Sequence, residues 1–209
     1  MTKKRLKQIL NQVPPDYYES GVKNNFLQEY WHKRKWHHLK EFFTGIKGKS
    51  LLDIGCADGT TTRQIQKILP DARIIGIDYY KHAVDYARKR KSEIKFVHGD
   101  VHNLPFGENS FDIVTAIETL EHLENPKDCL KNINRILKKD GQFIMTTPNW
   151  PDKIYRIYNK TLASNHKQAH SSLGWSKLVK SAGFKIISVR TVRFPVINSE
   201  FLNKNFSKI

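Results

Sequence analysis

Leu51-Leu52-Asp53-Ile54-Gly55-Cys56-Ala57-Asp58-Gly59-Thr60 is a short apolar run that ends in an acid-flanked glycine turn and then opens a helix. Ser50–Ile54 reads as a strand buried on both faces, because apolar residues occupy both alternating sets of positions. Gly55 and Gly59 let the chain turn tightly and bring bare backbone against a ligand. The helix that follows presents unpaired N–H groups at its start, which suit a carboxylate or a phosphate. A dinucleotide-binding G-x-G-x-x-G would need glycines at 57 and 60, where Ala57 and Thr60 stand, so a nicotinamide-dependent oxidoreductase is disfavoured. Gly48-Lys49-Ser50 matches the last three residues of a P-loop, but Phe43 holds its first glycine position and a strand follows. The bland alternative for the glycine turn is simple strand–helix punctuation.

The alternation continues toward the C-terminus. Helices are predicted at Thr60–Leu69, His82–Lys91, Pro126–Lys138 and Ser176–Ala182. Strands are predicted at Arg73–Ile77, Ile94–Val97, Phe111–Ile117, Gln142–Thr147 and Phe184–Val192. Toward the N-terminus, Leu6, Ile9, Leu10 and Val13 fall at helical spacing before Pro14-Pro15, and Asn24–Phe43 reads as a longer helix ended by Gly45 and Gly48. Apolar strands separated by helix-length segments make a doubly wound, mostly parallel α/β sheet. The expected organisation is an N-terminal helical cap over 1–47, a core over 48–192 and a basic tail over 193–209.

In such a sheet ligands bind beyond the carboxyl ends of the strands. The second strand ends at Asp78-Tyr79, placed to accept hydrogen bonds from ribose hydroxyls or to cap the next helix. The third ends in Gly99-Asp100-Val101, with Asp100 placed for an exocyclic amine. The fourth ends in Ile117-Glu118, and Glu118, Glu121 and His122 form an E-x-x-E-H cluster. Three consecutive strand ends thus carry a carboxylate.

These residues resemble the class I S-adenosylmethionine-dependent methyltransferases. Leu51 to Gly59 looks like the family's first motif, Ile77-Asp78 like its ribose-binding acid, and Gly99-Asp100-Val101 with Leu104-Pro105-Phe106 like its adenine-binding segment. Phe111-Asp112-Ile113-Val114, Glu121-His122-Leu123, Leu137-Lys138-Lys139-Asp140-Gly141-Gln142, Pro148-Asn149 and Ala182-Gly183-Phe184 are similar to the branch containing quinone-biosynthesis enzymes. The resemblance implies a Rossmann-like sheet of seven strands, or six if the segment after Val192 forms none. It implies S-adenosylmethionine as cofactor and S-adenosylhomocysteine as product. Asp53, Gly55, Cys56, Ala57, Gly59, Asp78, Tyr79, Asp100, Val101 and Ile117 would hold the cofactor, and His122 and Glu118 would face the acceptor. Ala57 departs from the family, which usually has glycine there.

Methyl transfer from a sulfonium needs positioning and exclusion of water, and a base only where the acceptor must lose a proton. His122 is either that base or a residue that orients its loop. The E-x-x-E-H pattern also resembles metal-dependent methyltransferases acting on the 3′-terminal 2′-hydroxyl of small RNAs, with His166 or His170 as the further ligand. No metal is expected. A third reading is a non-catalytic cofactor- or RNA-binding module.

The chain has 209 residues and a formal net charge of +16. Residues 1–50 hold 11 Lys+Arg against 4 Asp+Glu and residues 151–209 hold 11 against 2, whereas 51–150 are balanced at 14 against 14. Basic flanks around a neutral core predict a small, anionic substrate, and admit nucleic acid or a peripheral membrane surface; a solubilising surface is the plain alternative. Tyr30-Trp31-His32-Lys33-Arg34-Lys35-Trp36 interleaves aromatic and basic residues, and at helical spacing Trp31 and Trp36 cannot both face the core. Tyr17 and Tyr18 are candidates for a lid over the cofactor. Two cysteines exclude a disulfide framework, and no apolar run is long enough to span a bilayer, so a cytoplasmic location is expected.

Overall fold

The computed structural model describes residues 12–46, 50–148 and 170–191. Two helices come first, α1 (Tyr17–Asn24) and α2 (Phe26–Phe43). The helix expected over Asn24–Phe43 begins at Phe26, because Asn25 takes an extended conformation and caps α2, its side chain accepting from the Gln28 N–H at 3.1 Å; α1 was not expected. The core then alternates β1 (Ser50–Ile54), α3 (Thr60–Ile68), β2 (Arg73–Asp78), α4 (Lys81–Lys89), β3 (Lys95–His98), β4 (Phe111–Ile117), α5 (Pro126–Ile136), β5 (Leu137–Thr146) and α6 (Ser172–Ser181).

The described strands form one five-stranded sheet in the order β3-β2-β1-β4-β5, and every neighbouring pair is parallel. The reversal of direction of growth falls at β1, with β2 on one side and β4 on the other. This is the topological switch point, where a crevice opens. Every residue of β1 is buried, as its apolar run requires.

Alternation along each strand divides the core into two layers. Leu51, Ile74, Phe96 and Ile113 pack on one face with Ile65, Val84 and Ala87, and with Trp36, Leu39 and Phe43 of α2. Leu52, Ile54, Ile77, Val114 and Ala116 pack on the other with Leu130, Ile133 and Ile136 of α5 and Trp175 of α6. Each buried aliphatic side chain contributes about 1.5–3 kcal/mol.

The sheet corrects one expectation. Phe184–Thr191 forms no strand, although Phe184 packs against Phe143 with ring centroids 5.3 Å apart. Ile187 and Val189 are 84% and 57% exposed, so these apolar residues of the segment are not buried against the sheet. A sixth strand is therefore absent among the described residues. Residues 6–11 of the N-terminal helix expected around Leu6–Val13, the whole basic tail over 193–209 and a seventh strand lie outside them, and Gln12 and Val13 are not helical.

Candidate functional site

At the carboxyl end of the sheet, β1 runs into a loop built on backbone rather than side chains. Gly55 has φ +75°, and a Cβ there would lie 2.3 Å from the Thr119 Oγ1. Thr119 needs that space because its hydroxyl donates to the Ile54 carbonyl at 3.1 Å, joining the ends of β1 and β4. Gly55 N and Cys56 N both donate to the Ile77 carbonyl, at 2.9 and 3.2 Å. Gly59, at φ +78°, starts α3 with its absent Cβ against the Phe96 ring.

Ala57 is also left-handed, with φ +45°, and its N–H donates to Asp78 Oδ2 at 2.8 Å. A Cβ in this region costs about 1–2 kcal/mol, partly offset by the lower unfolded-chain entropy of alanine. Ala57→Gly is expected to stabilise the fold by roughly 0.5–1 kcal/mol, raising Tm by about 2 °C. A fall in Tm by calorimetry would refute the strain.

Three acids secure the loop from below. Asp53 is 1% exposed and accepts from Thr62 Oγ1 at 2.6 Å and Thr115 Oγ1 at 2.7 Å. Burial pushes its carboxyl up to about 6, with the two hydroxyls opposing. Asp58 is fully buried, accepting from Thr60 N at 3.0 Å and from Glu19 N of α1 at 2.8 Å. Asp78 accepts from Ala57 N and from Tyr80 N, the latter at 2.7 Å, and burial holds its carboxyl above the ordinary range. Farther along the edge, Tyr79 lies 6.1 Å from the His98 ring, and Asp100 accepts from His102 N at 2.9 Å, capping a single turn at Val101–Asn103.

A cavity of about 350 Å³ opens between the β1 and β4 ends. Gly55, Cys56, Ala57 and Thr61 line one side, Ile117, Glu118, Glu121 and His122 another, and Tyr17, Tyr18 and Trp31 of the N-terminal helices cover it, with Pro148 at the rim. The volume suits a small molecule. Of the sequence-predicted residues, Gly55, Cys56, Ala57, Ile117, Glu118 and His122 come together here. Asp53, Gly59, Asp78, Tyr79, Asp100 and Val101 do not line this cavity; Asp53 and Asp78 brace its loop, and Asp100 stands farther along the sheet edge.

Glu118 sits at φ +53°, its N–H donating to the Thr146 carbonyl at 3.0 Å. Its carboxylate accepts from Trp31 Nε1 at 2.8 Å and Lys35 Nζ at 2.7 Å. Lys35 is only 4% exposed and also donates to the Tyr18 hydroxyl at 2.9 Å. The Tyr18 oxygen lies 3.1 Å from His32 Nδ1, and burial followed by the Lys35 charge depresses His32 to about 4. His32 is therefore neutral and accepts from Tyr18, completing the chain Glu118–Lys35–Tyr18–His32. Burial opposes both charges of the ion pair, yet each partner overrides it, holding Glu118 below and Lys35 above its ordinary pKa.

Glu121 contrasts with Glu118. It is 1% exposed, and among the described residues neither carboxyl oxygen meets a partner on another residue. Burial, with the Glu118 charge adding to it, pushes the Glu121 carboxyl up to about 8. The neighbouring His122 is exposed at the mouth.

Sequence reasoning missed Lys35, which reads as one more surface cation in a basic stretch. Its signal was spacing, since Trp31 and Lys35 lie four apart on one face of α2 and Lys35 is followed by the buried Trp36. The aromatic expectation is refined too, with Trp36 in the core and Trp31 over the cavity. Among the described residues no group of three metal-ligating side chains is assembled, and His170 packs on Trp175 at 5.0 Å between rings. His166 lies outside the described residues. No helix among them is long and apolar enough to cross a membrane.

Comparison with known proteins matches this architecture. Residues 52–145 match a family model described as a methyltransferase domain. A demethylmenaquinone methyltransferase of Thermotoga maritima is 28% identical over 137 residues, 63% of this chain and 58% of that protein. A ubiquinone biosynthesis O-methyltransferase of Coxiella burnetii is 25% identical, over 75% of this chain and 72% of that one. The solved structure of the YcgJ protein of Bacillus subtilis superposes with a TM-score of 0.68 at 21% identity, covering 83% of this chain and 77% of that one, a likeness of fold. The chain spans 31 to 61% of the length of four other or overlapping curated relatives that it matches.

Proposed function

We propose, from the premise that this chain carries a class I S-adenosylmethionine-dependent methyltransferase domain of the kind related to quinone-biosynthesis enzymes, with S-adenosylmethionine as methyl donor, that it methylates a small acceptor held beneath Tyr17, Tyr18 and Trp31. The observation that carries this reading is the cavity at the topological switch point, bounded by backbone of the β1 loop on one side and by Ile117 and Glu118 on the other.

The residues present fit such a donor. The donor supplies an electrophilic methyl on a positively charged sulfur; the protein supplies geometry. The Gly55-Cys56-Ala57 backbone would hold the methionine part, and Gly59 would let the helix start approach it. Asp78 accepts from the backbone N–H groups of Ala57, Tyr79 and Tyr80, and would direct its remaining acceptor capacity to a ribose hydroxyl. Tyr79 would lie against adenine, with Asp100 and Val101 at its edge. Asp53 would act through Thr62 and Thr115, keeping the loop in place. Glu118, fixed by Trp31 and Lys35, would set the wall against which the acceptor is oriented, and His122 would take a proton where the acceptor has one to lose.

The test is direct. S-adenosylhomocysteine at ten times its dissociation constant is expected to stabilise the chain by about 1.4 kcal/mol, a Tm rise of about 3–5 °C, with NADH giving none. Asp78→Ala should abolish the shift. A chain that melts unchanged with S-adenosylhomocysteine would sink the proposal.

A further inference from the structure

The molecule is strongly basic, yet the cavity is not. Its lining includes two carboxyl side chains, Glu118 and Glu121, and among the described residues no lysine or arginine. Lys35 stands behind Glu118 and is already held by it at 2.7 Å and by Tyr18 at 2.9 Å. An anionic group entering here would meet two carboxyls, with the imidazole of His122 at the mouth. The basic flanks and the lining of this cavity thus differ in charge.

Glu121 is a buried polar group in the cavity that lacks a protein partner among the described residues. Buried polar groups are nearly always hydrogen-bonded, and an exception calls for an occupant that satisfies it. Both oxygens are acceptors when ionised, so the occupant must bring N–H or O–H donors, and a positive charge among them removes most of the cost of ionising a buried carboxyl. Tyr17, Tyr18 and Trp31 line the same space. Aromatic rings around a carboxyl form a receptacle for an ammonium group.

Resting on the methyltransferase reading of this cavity, we propose that its acceptor is an amine, bound as an ammonium group that donates to Glu121 among Tyr17, Tyr18 and Trp31. After one proton has left the ammonium for water beside the exposed His122, the nitrogen lone pair forms the new N–C bond. The methyl–sulfur bond breaks with its electron pair remaining on sulfur, and a positively charged amine carrying the methyl group is left.

The test uses the full chain saturated with S-adenosylhomocysteine and three small aromatic probes of equal reach, benzylamine, benzyl alcohol and benzoate. Titration calorimetry is expected to give benzylamine at least about tenfold tighter binding than either other probe, the difference a charge-assisted hydrogen bond supports. Glu121→Gln should remove most of that preference while leaving S-adenosylhomocysteine affinity within about twofold. Equal binding or no binding of the three probes, a preference for benzoate, or an unchanged preference in Glu121→Gln would overturn the proposal. So would a loss of S-adenosylhomocysteine affinity in that variant with benzylamine unaffected, which would assign Glu121 to the donor's own ammonium. A preference that appears only with added magnesium would assign it to a metal. Failure of S-adenosylhomocysteine to bind the unmodified chain is a separate result, and bears on the methyltransferase reading itself.

Discussion

Lys35→Met is expected to lower stability by about 3 kcal/mol, dropping Tm by roughly 6–12 °C. The methionine fills much of the same volume, so the loss comes from charge. Glu118 remains in its recess with only Trp31 donating to it, and its carboxyl rises from below to above the ordinary range. Removing one partner of a buried pair leaves the other uncompensated, which costs more than the pair itself contributes. The double variant Lys35→Met with Glu118→Gln should therefore recover most of the lost stability. Denaturant melts of the two singles and the double form the cycle that checks this. A loss below about 1 kcal/mol in Lys35→Met would show that water reaches Glu118 and that the pair belongs to the surface.

Glu121→Gln should act in the opposite direction, and more so as pH rises. The folded carboxyl has its pKa at about 8 against an ordinary value of 4.5. Between those values the folded chain binds a proton that the unfolded chain has released, so ν of the unfolded state is the smaller and stability falls with increasing pH. The contribution is fully present below about pH 4.5 and is lost as pH climbs through 8. Glutamine cannot titrate. Its variant should track the parent near pH 5 and exceed it by roughly 3 kcal/mol near pH 8, less whatever its unpaired amide costs. Parallel melting curves from pH 5 to 8 are the measurement, and a constant difference between the two proteins would mean that Glu121 carries no buried titration. The same substitution is the one expected to erase amine preference, so stability and recognition oppose each other at this position.

Most of the sheet was legible because burial on both faces leaves a mark in composition. Ser50–Ile54 and Phe111–Ile117 appear as strands with the bounds their apolar runs suggest. Phe184–Thr191 carried a similar mark without the outcome, since an apolar run indicates what a strand needs and does not by itself form one. The glycine turn and the carboxylates at the strand ends were readable as a set, because they follow each strand at its end. What the sequence hid is distance across the chain. Lys35 and Glu118 are 83 residues apart and meet at 2.7 Å. In a helix that is basic along its length, the four-residue spacing from Trp31 is the one local mark that Lys35 carries, and it does not name Glu118 as the partner. The total charge is equally remote from the site, since +16 describes the molecule and the cavity is lined by Glu118 and Glu121.

The two N-terminal helices are fastened at separate corners, Glu19 N to Asp58 beside the β1 loop and Trp31 with Lys35 to Glu118 beyond β4. A cover tied to both margins makes one doorway serve both occupants. Turnover is then expected to run in sequence, donor entering first and leaving last, with the acceptor exchanging over it. Steady-state inhibition patterns would register that order as S-adenosylhomocysteine competing with the donor alone.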